Sequence, residues 1–134
     1  MNNSITNHFK DAKSITVIKN DEEFAYLKGD DKFEEILSSI IQLTKGAHDM
    51  PAYGVSLDND TKSAKQKGMW IELQFDKTQT FNEMPFDALL FEVNEKYEGI
   101  NIIRKNNKTY DGRCFYLNLK SNMKNLAETI KKIN

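Results

Sequence analysis

Six side chains in this 134-residue sequence have the chemistry to act on a substrate or grip one: His48, Glu72, Glu92, Arg104, Arg113 and Cys114. Glu72 and Glu92 would form a carboxylate pair if their strands were neighbours, and a close pair raises one pKa and can do acid–base work. Such work needs desolvation, so two solvated glutamates are the plainer expectation for an open sheet. Cys114 and His48 would make a thiolate–imidazole dyad if the fold set them within hydrogen-bond reach beside an oxyanion site. A strand cysteine more often serves as a small buried hydrophobe. His48-Asp49 could orient an imidazole, but the two are neighbours in a loop. Arginine is scarce, two residues against 17 lysines. Arg104 and Arg113 are therefore candidates for a planar fork that lysine cannot supply.

Established chemistries drop out one by one. All six glycines are isolated, so there is neither a phosphate-cradling loop nor a dinucleotide fingerprint, both of which need clustered glycines. Asp58-Asn59-Asp60 opens like a calcium loop, yet its sixth position is Ser63 rather than Gly and its twelfth is Met69 rather than Glu. No zinc-ligand spacing is present. No catalytic residue, metal or cofactor is assigned. A net charge of −1 gives no reason to expect a polyanion. Lys62, Lys65 and Lys67 form one small basic patch, and Arg104, Lys105 and Lys108 with Tyr110 another. Both read as solvated lysines, and nucleic acid is not an expected partner.

The elements that must position these groups follow from periodicity. A hydrophobic fraction of 39% and a charged fraction of 29% suit a globular chain. No apolar run exceeds four residues, which excludes a spanning helix. One cysteine excludes an internal disulfide framework. Residues 1–13 show no usable period and are expected to be a flexible arm, leaving 14–134 as a single α+β domain. Residues 15–18 are β-branched and predict a strand, with Asn20-Asp21 as a turn and 24–27 as its hairpin arm. Asp31 with Glu34 predicts a capped helix over about 31–45, carrying Phe33, Ile36, Leu37, Ile40, Ile41 and Leu43 on its apolar face. Residues 46–57, including Tyr53, read as a loop that ends in a short strand at 55–57. A lysine-rich short helix to Lys67 is expected next.

Strands dominate the second half. Met69, Ile71, Leu73 and Phe75 alternate with Trp70, Glu72, Gln74 and Asp76. Residues 77–86 read as a polar loop whose Phe81, Met84, Pro85 and Phe86 fold down onto the core. Strands over 88–94, 99–104 and 113–119 follow, with a tight turn at Asn106-Asn107. Met123, Leu126, Ala127, Ile130 and Ile133 then mark a helix over about 122–133. The expected fold is α+β: a curved, mainly antiparallel sheet of about five to six strands, with both main helices on one face. This order resembles many small α+β domains, cystatin-like and lipoprotein-associated ones among them. The resemblance is architectural and implies no function.

The most informative expectation concerns the face the helices leave. It carries Trp70, Glu72, Gln74, Glu92, Asn101 and Tyr116, with Leu90, Ile103 and Cys114 among them. An antiparallel sheet covered on one side normally shows water a polar face. This mixture of aromatics, carboxylates and amides suits a partner surface, unless the N-terminal arm or the 77–86 loop covers it. The expected function is a non-catalytic protein-interaction module of the inhibitor, immunity-type or adaptor kind, with self-association as a further option. The alternative is a small-ligand-binding domain or small enzyme, which requires at least three of the six reactive groups around one cavity. Abundant Lys, Asn and Ile, all with A/T-rich codons, suggest a bacterial or phage source. The polar start predicts a cytoplasmic protein if Met1 is native, or an exported lipoprotein domain if the chain is trimmed.

Overall fold

A computed structural model describes residues 4–51 and 54–134, so Tyr53 lies outside the described residues. The elements run in the order 3₁₀ helix Ile5–Asp11, β1 Ser14–Lys19, β2 Glu22–Leu27, α1 Asp31–Leu43, β3 His48–Met50, β4 Val55–Ser56, α2 Asp58–Ala64, β5 Met69–Phe81, β6 Met84–Val93, β7 Gly99–Lys105, β8 Gly112–Arg113, β9 Phe115–Asn118 and α3 Lys124–Lys131. Seven strands form one antiparallel sheet in the order β2-β1-β5-β6-β7-β9-β3, and β4 pairs with β8 in a small second sheet. The fold class is the expected one, α+β with a large antiparallel sheet and α1 and α3 on one face. The additional strand of the large sheet is β3, inside the segment read as a loop; β4 is the short strand expected at 55–57, and the strand expected over 113–119 is divided into β8, which pairs with β4, and β9.

Three hairpin turns hold the register. Asn20-Asp21, Asn82-Glu83 and Asn107-Lys108 each place two consecutive residues at positive φ. A two-residue turn of that hand matches the twist of the flanking strands, and Asn tolerates it best among non-glycine residues. The second of these turns corrects the polar loop expected at 77–86. β5 runs on to Phe81 and β6 starts at Met84, past an irregularity in register after Gln74. Phe81 and Phe86 do fold onto the core, where each sits edge-on to Phe115. The third turn falls one residue later than expected.

The core lies between the helices and the inner face of the sheet. Ile71, Leu73, Leu89, Phe91, Ile102, Phe115 and Leu117 meet Phe33, Ile36 and Ile40 of α1 and Leu126, Ala127 and Ile130 of α3. Ile41 is not part of that face. It is 44% exposed, because it lies next to Ile40 and a helix turns 100° per residue. The cap of α1 is Asp30 rather than Asp31, and its carboxylate accepts from the Leu27 N–H at 2.9 Å. The N-terminal segment also departs from expectation. Ile5, Phe9 and Ala12 are fully buried, and Asp49 Oδ2 accepts the Ile5 N–H at 2.9 Å. From Ser4 onward the expected arm is a wall of the core.

Candidate functional site

The outer face is partly covered, and neither expected cover is responsible. The N-terminal segment packs on the inner side. What crosses the outer face is α2 together with the turn that carries Tyr110. The two are tied by Asp58, whose Oδ1 accepts the Tyr110 N–H at 2.8 Å while its own N–H donates to Asp111 Oδ1 at 2.8 Å. The Asp58 carboxyl is held below its ordinary pKa, first by that backbone hydrogen bond and then by Lys62. Beneath this cover Ile18, Trp70, Leu90, Ile103, Tyr110 and Cys114 form a second, smaller core.

Glu72 lies under Tyr110 and is only 6% exposed. A buried carboxylate is costly unless its lone pairs are filled, and here they are. The Tyr110 hydroxyl donates to Oε2, Gln74 Nε2 donates to Oε1 at 2.8 Å, and Lys105 Nζ stands 3.9 Å from Oε1. Lys65 Nζ donates to the Tyr110 oxygen at 2.8 Å, and the Lys65 and Lys105 ammonium groups lie 4.7 and 5.1 Å from the tyrosine ring centroid. The two basic patches seen in the sequence thus meet on one phenol. Burial, reinforced by the Glu72 charge, pushes the Tyr110 phenol far above its ordinary pKa, so it stays a neutral donor.

Beyond Tyr110 the outer face is open. The β6–β7 ladder pairs Ala88–Leu90 with Ile103–Lys105, while β6 continues to Val93 and β7 begins at Gly99. A recess of about 470 Å³ occupies that seam, lined by Trp70, Glu92, Tyr97, Asn101, Ile103 and Tyr116, with Lys96, Glu98 and Gly99 at its rim. Register explains the arrangement. Trp70 pairs with Glu92 across β5–β6, and Asn101 pairs with Tyr116 across β7–β9. The Trp70 indole N–H donates to the Lys67 carbonyl at 2.8 Å. Tyr97 comes from the β6–β7 connection, where Asn94 accepts the Lys96 and Tyr97 N–H groups, and its hydroxyl donates to Glu92 Oε1 at 3.1 Å. Burial and the Glu92 charge raise the Tyr97 phenol pKa. A methyl group on Gly99 would stand 2.1 Å from the Tyr116 hydroxyl oxygen, so glycine is what lets that ring lie across β7. A smaller hollow of about 330 Å³ adjoins on the far side of Tyr116, lined by Val55, Ser56 and Cys114 among others.

Of the six outer-face candidates, Trp70, Glu92, Asn101 and Tyr116 line this recess. Glu72 and Gln74 belong to the covered half. The carboxylate pair does not form, although β5 and β6 are neighbours. Register sets Leu90 opposite Glu72, and the two glutamates keep separate partners. The thiol–imidazole dyad does not form either. Cys114 is buried with its sulfur 3.0 Å from Ser56 Oγ, whereas His48 is exposed on edge strand β3, opposite Asn118. Arg104 does use its fork, but on the protein itself, donating to the carbonyls of Arg113 at 2.7 Å and Pro85 at 2.8 Å. Arg113 is exposed on β8. Tyr97 and Gly99 carry no sequence pattern that marks them as site residues. Tyr97 sits in a connection without period, and the one signal for Gly99 was a glycine opening a strand.

Among the described residues no three His, Cys, Asp or Glu side chains gather to hold a metal ion, and no helix is long and apolar enough to cross a membrane. No protein-family model, curated protein or solved structure matches this chain.

Proposed function

We propose that this chain is a non-catalytic binding module, of the inhibitor or adaptor kind, that docks a protein partner on the open half of its outer sheet face. The observation that carries this reading is the company around the recess. Of the six large apolar side chains left exposed among the described residues, Tyr97 lines it and Val55 lines its neighbouring hollow, while a third, Met50, shares a face with Tyr116 across β3–β9. Aromatic anchors beside exposed aliphatics, with a few polar groups, are the composition of a protein-binding patch. Convergent reactive groups would favour an enzyme, yet Glu92 alone of the six lines the recess. The recess volume favours one second reading, a small organic ligand, since it falls within the ~300–1,000 Å³ of ligand pockets.

The test is binding by the full chain, with Tyr116→Ala and the remote edge variant Leu27→Ala as comparators. Trp70 is a poor choice, because at 7% exposure its loss would also damage the smaller core. A partner purified after capture by wild type should bind Tyr116→Ala at least ten-fold more weakly and Leu27→Ala equally well. Equal binding to all three would remove the surface. A metabolite that raises Tm in wild type but not in Tyr116→Ala would establish the small-ligand reading in its place.

A further inference from the structure

We infer that the recess at the β6–β7 seam receives a basic side chain of the partner, with the guanidinium of an arginine as the best-fitting head. The inference rests on the docking reading above and adds the chemistry of the anchor. Three aromatic side chains line the recess, and the polar atoms of two are already committed. The Trp70 indole N–H is bound to the Lys67 carbonyl, and the Tyr97 hydroxyl donates to Glu92. What Tyr97, 39% exposed, offers an occupant is ring surface, with the 7% of Trp70 that remains exposed beside it, and the face of an aromatic ring attracts a cation. The charge agrees. Glu92 and Glu98 contribute two carboxylates against the single ammonium of Lys96. Lys96 and Glu98 are exposed at the rim, while Glu92 is half-buried within it. A carboxylate held among aromatic rings strengthens a charge-assisted hydrogen bond to a cation and repels an anion.

Shape separates arginine from the other cations. A guanidinium is planar, stacks on aromatic faces and presents a fork of N–H donors. An ammonium is a compact, strongly hydrated point charge. The Glu92 carboxylate and the Asn101 amide oxygen are both acceptors, and both residues line the recess together with the rings. A purely aliphatic anchor would fill the volume but leave Glu92 desolvated without a cation, which disfavours it.

The full-length ¹⁵N-labelled chain is titrated with N-acetyl-arginine methylamide, then with the lysine and norleucine analogues, following the Trp70 indole N–H and the Gly99 and Asn101 amides. The arginine compound should move these signals saturably, with a Kd at least five-fold below that of norleucine, and added NaCl should weaken only the cationic probes. Glu92→Gln should lose at least five-fold for arginine and nothing for norleucine. Tyr97→Ala, at an exposed position, is the second variant and should weaken arginine as well. Norleucine binding as well as arginine, no effect of either variant, or no movement of these signals would overturn the inference. If the partner still depends on Tyr116 while the arginine probe shows no preference, the anchor is wrong and the docking surface stands. If the probe prefers the recess but the partner ignores Tyr116, the recess takes a cation and the docking reading falls.

Discussion

The inner face of the sheet, carrying Ile71, Leu89, Phe91 and Leu117, is closed by α1, α3 and the 3₁₀ helix; the outer face, carrying Trp70, Glu72, Glu92 and Tyr116, is closed at one end and open at the other. The same strands make both faces, since alternate residues point to opposite sides. The closures differ in kind. The inner one is mainly apolar side-chain packing and non-directional, with few directed bonds such as that from the Ile5 N–H to Asp49. The outer one is a polar clasp: Tyr110 over Glu72, Lys65 and Lys105 on the phenol, Asp58 holding the Tyr110 backbone. A clasp of directed bonds covers only what it reaches. It reaches Glu72 and leaves Glu92, two pairs along the same ladder, to the open recess.

The comparison is broken most easily at the inner face. Phe91→Ala removes a side chain that is 1% exposed, and emptying such a site costs about 3–5 kcal/mol. Against a total of about 5–15 kcal/mol this is a large share. Urea unfolding should show the midpoint falling with little change in slope. A cost under about 1 kcal/mol would mean that the helices do not carry the stability assigned to them.

The clasp should yield a smaller effect with a distinctive pH signature. Tyr110→Phe keeps the ring and removes the hydroxyl, leaving Glu72 and Lys65 each short of a partner, at about 1–3 kcal/mol. In wild type the Tyr110 pKa is raised from its ordinary 10.0 by burial and then by Glu72. Below pH 10 the phenol is protonated in both states, and its environment is no liability. Above pH 10 the unfolded chain releases the proton and the folded chain keeps it, so stability falls as pH rises, by up to about 1.4 kcal/mol per pH unit for one such group. Tyr110→Phe should flatten that decline. An unchanged alkaline slope would mean that the phenol is not sequestered in the folded protein.

Much of this architecture is legible in local periodicity, and its limits are instructive. The period of two in Met69–Asp76 and the helical stripe from Met123 to Ile133 are set by backbone geometry, so Trp70, Glu92, Asn101 and Tyr116 can be placed on one face without knowing strand order. Ile5, Phe9 and Ala12 stand four and three residues apart, a helical spacing that the polar residues around them disguise. Pro85 looks like a break, yet it sits on β6 opposite Thr80, beside a turn made by Asn82 rather than by the glycine usual there. The cover over Glu72 has no local signal at all. It depends on Asp58 meeting Tyr110 52 residues away, and no pattern within a window encodes that meeting. The seam that opens the recess is likewise a property of where two strands stop pairing, not of either strand alone.

The finest separation of fold from site comes from a single methyl group. Gly99 is in extended backbone, where alanine is acceptable and even favoured by roughly 0.5–1 kcal/mol, because glycine loses more chain entropy on folding. The added Cβ would stand 3.2 Å from the Leu117 carbonyl oxygen, 2.1 Å from the Tyr116 hydroxyl oxygen and 2.7 Å from its Cζ, so the β9 backbone must give by a few tenths of an ångström and the Tyr116 ring must swing aside. Its displaced atoms are the far end of a half-buried side chain at the rim of the recess, not part of either core. The two effects oppose, and Gly99→Ala should leave stability within about 1 kcal/mol of wild type. Partner affinity should nevertheless fall at least as far as in Tyr116→Ala, because the displaced ring obstructs the seam it now lines. Calorimetric unfolding and a binding titration on the same preparation check both halves. Lost stability with unchanged affinity would reverse the assignment, making Gly99 and Tyr116 parts of the fold's support and moving the docking surface elsewhere on the outer face.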